Sequence, residues 1–205
     1  MSSNTSTIFA ANFRLLTRSA VVLAICLAAG GCDQASAKAK EEAQRRLQPT
    51  YDRTTGKLTK LSYDSNSNGK PDTWAFMDGA KLVRLEADEN EDALIDRWEF
   101  YPEGEGVTSA KGPPDRIERA THGDGKVSRR EFFEGGALVR IEEDVDGNSA
   151  VDKWETYAGG ALTIMSLDTT GAGKPDRRLI YRADGSLDRI EADPTGSGVF
   201  QTIKQ

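Results

Sequence analysis

The chain has 205 residues, with 27 Lys and Arg against 33 Asp and Glu, which gives a formal net charge of −6. A chain with this acidic balance has no overall attraction for nucleic acid, so we expect no DNA or RNA partner. Hydrophobic residues make up only 37% of the sequence, which favours a thin, turn-rich domain over one with a large globular core.

Residues 1–31 have the features of a secretory signal peptide. Arg14 and Arg18 precede a short apolar run at 20–29, and small residues follow it. The apolar run is shorter than the roughly 20 residues that a membrane-spanning helix needs. Cys26 lies inside this segment, so its removal would leave Cys32 as the one Cys of the mature chain and exclude an internal disulfide.

Residues 29–32 read AGGC, which resembles the lipobox of bacterial lipoproteins. The resemblance implies that Cys32 becomes the lipid-modified first residue of the mature chain. It also implies a protein anchored by lipid to a membrane of the bacterial cell envelope, facing the periplasm or the cell surface. An ordinary signal peptide, followed by a Cys that is not lipidated, is the alternative.

The segment after the signal, residues 32–49, is rich in Ala, Lys, Glu, Gln and Arg. These residues favour a helix, and Pro49 is a stop signal. Since no broad apolar face accompanies them, the sequence predicts a partly helical tether between the anchor and a domain at 50–205.

From residue 50 onward the sequence repeats with a period of about 24 residues. Asp64 and Asp88 are 24 residues apart, as are Asp144 and Asp168. Each opens an acidic phrase, and these phrases read DSNSNGKPD at 64–72, DENEDALID at 88–96, DVDGNSAVD at 144–152 and DTTGAGKPD at 168–176. We call them loops 1, 2, 4 and 5 and number positions from the first residue. Loop 3 (120–128) begins with Ala120, a weak loop 6 begins at Asp193, and an insert at 102–114 lengthens one unit.

The spacing between loops predicts strands and argues against paired helices. In each unit, the loop is followed by an apolar segment rich in aromatic residues, then by a Gly-containing turn, and then by a second apolar segment. The pieces on either side of the turn have six or seven residues, a length typical of strands. Aromatic and β-branched residues favour strands, and Asp-Gly or Gly-Gly pairs favour hairpin turns. We therefore predict an all-β fold, an antiparallel β-hairpin repeat array, and not EF-hands with flanking helices.

The loops also carry oxygen ligands at the positions that calcium loops use, namely 1, 3, 5, 9 and 12. The candidate ligands are Asp64, Asn66, Asn68 and Asp72 in loop 1; Asp88, Asn90, Asp92, Asp96 and Glu99 around loop 2; and Asp144, Asp146, Asn148, Asp152 and Glu155 around loop 4. Carboxylates crowded into one short loop repel each other unless a cation neutralises them. The sequence therefore predicts Ca²⁺ as the cofactor of these loops. Position 6, usually Gly, holds Ala93 in loop 2 and Ser149 in loop 4.

Loop 1 resembles the Asp-rich loops of thrombospondin type 3 repeats, and the whole array resembles bacterial surface lipoproteins with EF-hand-like loops. This resemblance implies a calcium-stabilised structural or binding module of the cell envelope. It implies no enzymatic activity, and an envelope protein or a glycan as an unidentified partner. The one His, His122, is expected to be a surface residue, and Trp74, Trp98 and Trp154 to pack against the sheet.

Two alternatives stay open. Asp, Asn and Gly are good turn residues in their own right, and a metal-free interaction scaffold, akin to the hairpin repeats of antitoxin-like proteins, would need nothing more. An envelope hydrolase with paired carboxylates is the second alternative, although the repeat period already accounts for nearly every acidic residue. A partner-specific contact would be expected in the insert at 102–114.

Overall fold

The structure is a computed structural model that describes residues 41–42, 44–102 and 112–203. The predicted signal peptide, Cys32, most of the tether and most of the insert lie outside these residues. Residues 41–42 and 44–46 are helical. Within the described part of the chain, no helix is both long and apolar enough to cross a membrane.

The rest of the described chain forms one antiparallel sheet of 13 strands in sequence order, each pairing with the next. The strands are β1 (Leu47–Tyr51), β2 (Leu58–Tyr63), β3 (Thr73–Asp78), β4 (Lys81–Ala87), β5 (Arg97–Phe100), β6 (Arg116–Arg119), β7 (Arg129–Glu134), β8 (Ala137–Glu143), β9 (Lys153–Ala158), β10 (Ala161–Leu167), β11 (Arg177–Tyr181), β12 (Leu187–Ala192) and β13 (Gln201–Thr202). The predicted all-β hairpin array is thus confirmed. β1 begins at Leu47, three residues before the expected start of the domain.

The sheet is open, since β1 and β13 are its two edges and each has a single neighbour. The sequence did not predict how the sheet would end. Because consecutive strands alternate in direction, all six acidic loops lie along one end of the strands, and the short turns lie along the other. These turns use residues with positive φ, such as Gly79 (61°) and Gly136 (83°), a conformation that glycine adopts without steric cost.

One face of the sheet, here called the aromatic face, alternates aromatic and charged side chains between neighbouring strands. One row of partners runs Trp74, Glu86, Trp98, Glu118, Arg130, Glu142 and Trp154. A second row runs Lys60, Phe76, Arg84, Phe100, Arg116, Phe132 and Arg140. Direct cross-strand neighbours of this kind are the pairs that stabilise a sheet.

The opposite face, here called the network face, holds the small core and a chain of ion pairs. Ile141 on β8 is 2% exposed and is the only large side chain in the described residues that is almost completely buried. Full burial of such a side chain stabilises the fold by roughly 1.5–3 kcal/mol. The ion pairs link β5 to β9 through alternating acids and bases, in the order Glu99, Arg97, Glu89, Arg119, Glu131, Arg129, Glu143, Lys153 and Glu155.

Candidate metal centre

Every loop except loop 3 is closed by the carboxylate at its position 1. In loop 4, Asp144 accepts hydrogen bonds from the backbone amides of Gly147 (2.8 Å), Asn148 (3.2 Å) and Ser149 (2.8 Å). The equivalent Asp residues of loops 1, 2, 5 and 6 accept the position 6 amide in the same way, namely Asp64, Asp88, Asp168 and Asp193. The carboxylate oxygens therefore point into the loop, toward its centre.

Positions 3 and 5 repeat this arrangement with a shorter span. In loop 4, Asp146 accepts the amide of Asn148 (3.1 Å), and Asn148 accepts the amide of Ala150 (2.7 Å). Loop 1 does the same through Asn66 and Asn68, and loop 2 through Asn90 and Asp92. Such Asx turns explain why Asp and Asn recur at alternate positions even without a ligand.

Position 9 fixes the other end of loops 1 to 5. Its side chain accepts the amide of position 2, as Asp72 does for Ser65 (2.8 Å) and Asp96 for Glu89 (2.7 Å). In loop 3, position 9 is Ser128, and its hydroxyl oxygen accepts a hydrogen bond from the Thr121 amide at 2.8 Å. Loop 3, which the sequence presents as degenerate, therefore keeps the loop shape without an acid at position 1 or 9.

The backbone of every loop is left-handed at positions 4 and 6. Position 6 has a φ of 72° at Ala93 and 73° at Ser149, and position 4 has a φ of 65° at Ser67 and 64° at Glu91. Glycine occupies the remaining positions of this kind, namely Gly69, Gly123, Gly125, Gly147, Gly171, Gly173, Gly196 and Gly198. The missing Gly at position 6 of loops 2 and 4 therefore leaves the turn geometry intact, at the steric cost of a Cβ in this region.

Loop 4 brings three predicted ligands together. One carboxylate oxygen each of Asp144, Asp146 and Asp152 lies within 4.8 Å of the other two. Among the described residues, no other set of three His, Cys, Asp or Glu side chains comes this close. Desolvation raises the pKa of Asp144, but the three loop amides outweigh it and hold the pKa below its usual value. Asp144 therefore stays ionised at neutral pH, which a hard cation requires of its ligands.

Loop 2 does not bring its acids together in this way. The amide nitrogen of Asn90 donates to Asp92 (3.1 Å) and to Asp96 (3.5 Å) and so lies between the two carboxylates. In loop 1, the amide nitrogens of Asn66 and Asn68 are turned out of the loop and donate to Glu91 of loop 2. Loops 1 and 2 are thus joined by a side-chain contact that the sequence did not reveal.

The two acids at position 12 lie on the sheet and not in the loops. Glu155, 7% exposed, is on β9 and accepts hydrogen bonds from Lys153 (3.1 Å) and the Tyr157 hydroxyl (2.6 Å). Glu99 on β5 occupies the same place, between Arg97 and the Tyr101 hydroxyl. Both glutamates belong to the ion-pair chain of the network face. The direct partners of each glutamate lie two residues away along the chain, but the ion-pair chain then crosses between strands, from Arg119 to Glu131, from Arg129 to Glu143 and from Lys153 to Glu143. Sequence spacing does not show these cross-strand contacts.

Neighbouring loops are linked through their backbones. From loop 2 to loop 6, the amide at position 1 donates to the carbonyl at position 9 of the loop before it. Examples are Asp144 to Ser128 (2.7 Å) and Asp168 to Asp152 (2.8 Å). The side chain of His122 in loop 3 adds a contact to the Val145 carbonyl of loop 4 at 3.3 Å. The loops therefore form one continuous edge.

Comparison with known proteins adds little to this geometry. No family model and no curated protein matches the sequence. A crystal structure of a mutant of S. aureus TarM in complex with Fondaparinux, alpha-GlcNAc-glycerol and UDP is 14% identical, with a TM-score of 0.24; the match covers 66% of this chain and 24% of that chain. A second crystal structure of TarM is 16% identical, with a TM-score of 0.22, and covers 62% and 23% respectively. TM-scores this low do not inform the function.

Proposed function

We propose that this protein binds Ca²⁺ at loop 4 and that the bound ion stabilises a structural or binding module of the bacterial cell envelope. The observation that supports it is the convergence of the Asp144, Asp146 and Asp152 carboxylates. Three like charges at this distance repel each other, and a divalent cation would replace that repulsion with attraction. Asn148 could add a side-chain oxygen at position 5. The proposal gives the chain no catalytic role.

Calcium fits this loop better than magnesium. Ca²⁺ accepts six to eight oxygen ligands in a flexible geometry, whereas Mg²⁺ requires a near-ideal octahedron and usually keeps several waters. Loop 4 supplies its oxygens from alternate positions of an exposed, left-handed turn, so water can complete the coordination. Sites of this kind in extracellular modules bind calcium with dissociation constants on the order of 10⁻⁴–10⁻³ M.

The test is a thermal unfolding curve of the full chain in EDTA and in millimolar calcium. A ligand that binds only the folded state stabilises it by RT ln(1 + L/Kd), where L is the free ligand concentration. At about 10 mM calcium and a dissociation constant on the order of 10⁻⁴–10⁻³ M, this is about 1.4–2.7 kcal/mol, so the Tm should rise with calcium. Asp152→Asn keeps an acceptor for the Val145 amide but removes a charge. This variant should lose most of the calcium response and be at least as stable as wild type in EDTA.

Asp176→Asn is the matched control, because Asp176 occupies position 9 of loop 5 and accepts the Thr169 amide at 2.6 Å in the same way. It should keep the wild-type calcium response. Identical wild-type curves in EDTA and calcium would reject the calcium site.

That result would favour the second candidate, a metal-free interaction scaffold. The observation that favours this scaffold is that backbone amides of the loops donate hydrogen bonds to the loop carboxylates and so provide partners for them without a cation. Asp168, for example, accepts the amides of Gly171 (2.8 Å) and Gly173 (2.6 Å) in a loop that has only two acids.

The envelope location is proposed from the sequence alone, through the lipobox-like residues that end at Cys32. Cys32→Ser should abolish lipid attachment and release the protein from the membrane fraction, or leave it unprocessed. Mass spectrometry of the wild-type amino terminus measures this directly. An unmodified Cys32, together with unchanged membrane retention of the variant, would refute the anchor without affecting the calcium proposal.

A further inference from the structure

One row of the aromatic face carries a cation on every second strand from β2 to β8. It runs through Lys60 on β2, Arg84 on β4, Arg116 on β6 and Arg140 on β8, and Arg189 continues it on β12. The remaining described members, on the strands between and beside these, are uncharged: Thr50, Phe76, Phe100, Phe132, Thr156, Ile164 and Ile180. We call this set the cation row. Among the residues that the structure describes, no acid belongs to it.

The three central guanidinium groups are held in place by stacking. The guanidinium carbons of Arg84, Arg116 and Arg140 lie 4.3, 4.1 and 3.9 Å from the ring centroids of Phe76, Phe100 and Phe132, respectively. Cation–π contacts of this kind fix the plane of the group and reduce the side-chain entropy that binding would otherwise cost.

The same three side chains remain accessible and retain free donors. They are 39%, 38% and 48% exposed in the order Arg84, Arg116 and Arg140. Each forms its intrastrand ion pair with one glutamate two residues further along its strand, namely Glu86, Glu118 and Glu142. A guanidinium group has five N–H donors, of which the Nε–H is buried in Arg84 and Arg116. The donors that can reach an external anion are therefore on the terminal nitrogens.

The row is also separated from the acidic loops. The last pair of β2 and β3 before loop 1 is Tyr63 with Thr73. The cation row, at Lys60 and Phe76, lies three residues further from the loop, or about 10 Å at 3.3 Å per residue. The glutamates that pair with the arginines lie on its loop side, two residues away. On the turn side, exposed acids end β3 (Asp78) and β7 (Glu134), two residues from Phe76 and Phe132 of the row. An anion therefore has to lie along the row itself, between these acids and the glutamates.

We propose that the cation row binds a linear acidic polysaccharide, one that carries carboxylate or sulfate groups, laid across the strands. Cations on alternate strands are about 9.6 Å apart, twice the strand spacing, and one chain can contact several of them at once. A single polysaccharide strand is narrow enough to follow one row. A duplex or a bilayer surface would also cover the glutamate row and approach the acidic loops.

The experiment measures binding of fluorescently labelled polygalacturonate and dextran sulfate to the full chain by fluorescence anisotropy, with neutral dextran as the negative control. All titrations contain EDTA, because binding through the arginines needs no calcium, whereas bridging through the loops does. Binding should weaken as salt is added, since exposed ion pairs are screened. The proposal is therefore independent of the calcium site, and either can fail alone.

The test variant combines Arg84→Gln, Arg116→Gln and Arg140→Gln, and we expect its dissociation constant to rise by at least about tenfold, the equivalent of about 1.4 kcal/mol. The matched control makes the same charge change on the loop edge, with Lys70→Gln, Lys126→Gln and Lys174→Gln, all exposed. The control should bind like wild type. The single variant Arg140→Gln, at the most exposed of the three sites, gives a smaller loss and covers the case in which the triple variant does not fold.

Three results would overturn the proposal. Equal weakening in both triple variants would mean that only total charge matters. Binding to duplex DNA or to phosphatidylglycerol vesicles at least as tight as to the two glycans would assign the row to another partner. Wild-type binding that appears only when calcium replaces EDTA would place the contact in the loops.

Discussion

Four residues with a Cβ adopt the left-handed conformation in the loops, and two of them lie in loop 2. Glu91 and Ala93 have φ values of 64° and 72°. The left-handed region costs an L-residue roughly 1–2 kcal/mol, because its Cβ approaches the following carbonyl oxygen. Natural sequences accept such strain where the surrounding contacts fix the conformation. In loop 2, the Asp88 carboxylate does so by accepting the amides of both residues.

Ala93→Gly should therefore stabilise the protein, by about 1 kcal/mol, because it removes the Cβ from a left-handed residue. Urea unfolding in EDTA measures the change. Ala172→Gly is the control, because Ala172 lies one position earlier in loop 5, is exposed and has no positive φ. The control should lose stability through added chain entropy. Destabilisation by Ala93→Gly equal to that of the control would mean that residue 93 is not strained.

The pKa of Asp168 gives a second residue-scale prediction. Desolvation raises this pKa, but hydrogen bonds from the Thr170, Gly173 and Ala172 amides lower it by more. The net result is a fall from the ordinary value of 3.8 to about 2. A carboxyl group whose pKa is lower in the folded than in the unfolded protein stabilises the fold at any pH above its unfolded pKa. The protein loses this stability as the pH falls through the folded-state pKa. The loss should occur between about pH 4 and pH 2.

Carbon-13 NMR of the side-chain carboxyl groups tests this directly. The Asp168 signal, assigned by its disappearance in Asp168→Asn, should have a titration midpoint near pH 2. A midpoint near 3.8 would show that the amides do not hold the carboxylate in solution.

At the scale of single elements, strand β9 places Glu155 between Lys153 and the Tyr157 hydroxyl, whereas its sequence position predicts a calcium ligand. Glu155→Gln should destabilise the protein by about 1–3 kcal/mol, because Lys153 and Tyr157 lose a buried, charged acceptor. The loss should be the same in EDTA and in calcium, whereas a calcium ligand would show it only in calcium. Urea unfolding in both buffers separates the two roles.

Glu142→Gln is the matched control, since Glu142 lies on β8 next to Glu143 but on the aromatic face, where it is 20% exposed. The loss there should be under about 1 kcal/mol. A second readout is the pKa of Tyr157, which burial and then the hydrogen bond to Glu155 raise above its ordinary value. The variant should lower that pKa. Equal destabilisation by the two variants, with no change in the tyrosine titration, would contradict a special role for the network.

The elements themselves could be predicted from the sequence, because local chemistry determines them. Turn residues such as Gly79 and Gly136 mark the hairpins, and the 24-residue period leaves only strand-length pieces between turns and loops. The partners on each face could not be predicted, because they depend on register. Whether Arg129 contacts Glu143, for example, follows from which residue lies opposite it on the next strand. The convergence of acids in loop 4 but not in loop 2 likewise depends on side-chain orientations, such as that of the Asn90 amide.

For the whole molecule, the strand order predicts a gradient of local stability. Each strand of the described sheet pairs only with its sequence neighbours, so stability is close to a sum of nearest-neighbour terms, as in other repeat arrays. Ile141, the large side chain that is most completely buried among the described residues, lies on β8, far from both edges. Amides of β8 should therefore exchange with deuterium most slowly, and those of β1 and β13 fastest.

Hydrogen exchange followed by mass spectrometry, with peptides assigned to each strand, measures this gradient. A variant with a smaller core residue, Ile141→Val, should speed exchange most in β7, β8 and β9 and least at the edges. One common exchange rate for all thirteen strands, with a uniform response to Ile141→Val, would show that the sheet unfolds as a single cooperative unit instead.

The backbone link between successive loops also makes the length of the molecule adjustable. Loops 4 and 5 receive the same hydrogen bond from the next loop and give the same one to the loop before. Excision of residues 144–167 would place Asp168 directly after Glu143, where Asp144 now stands, and would leave each remaining strand with a partner. Duplication of such a unit would lengthen the array by two strands, about 9.6 Å. Unequal crossing-over could therefore add or remove loops one at a time, so that selection acts on their number while the fold stays unchanged.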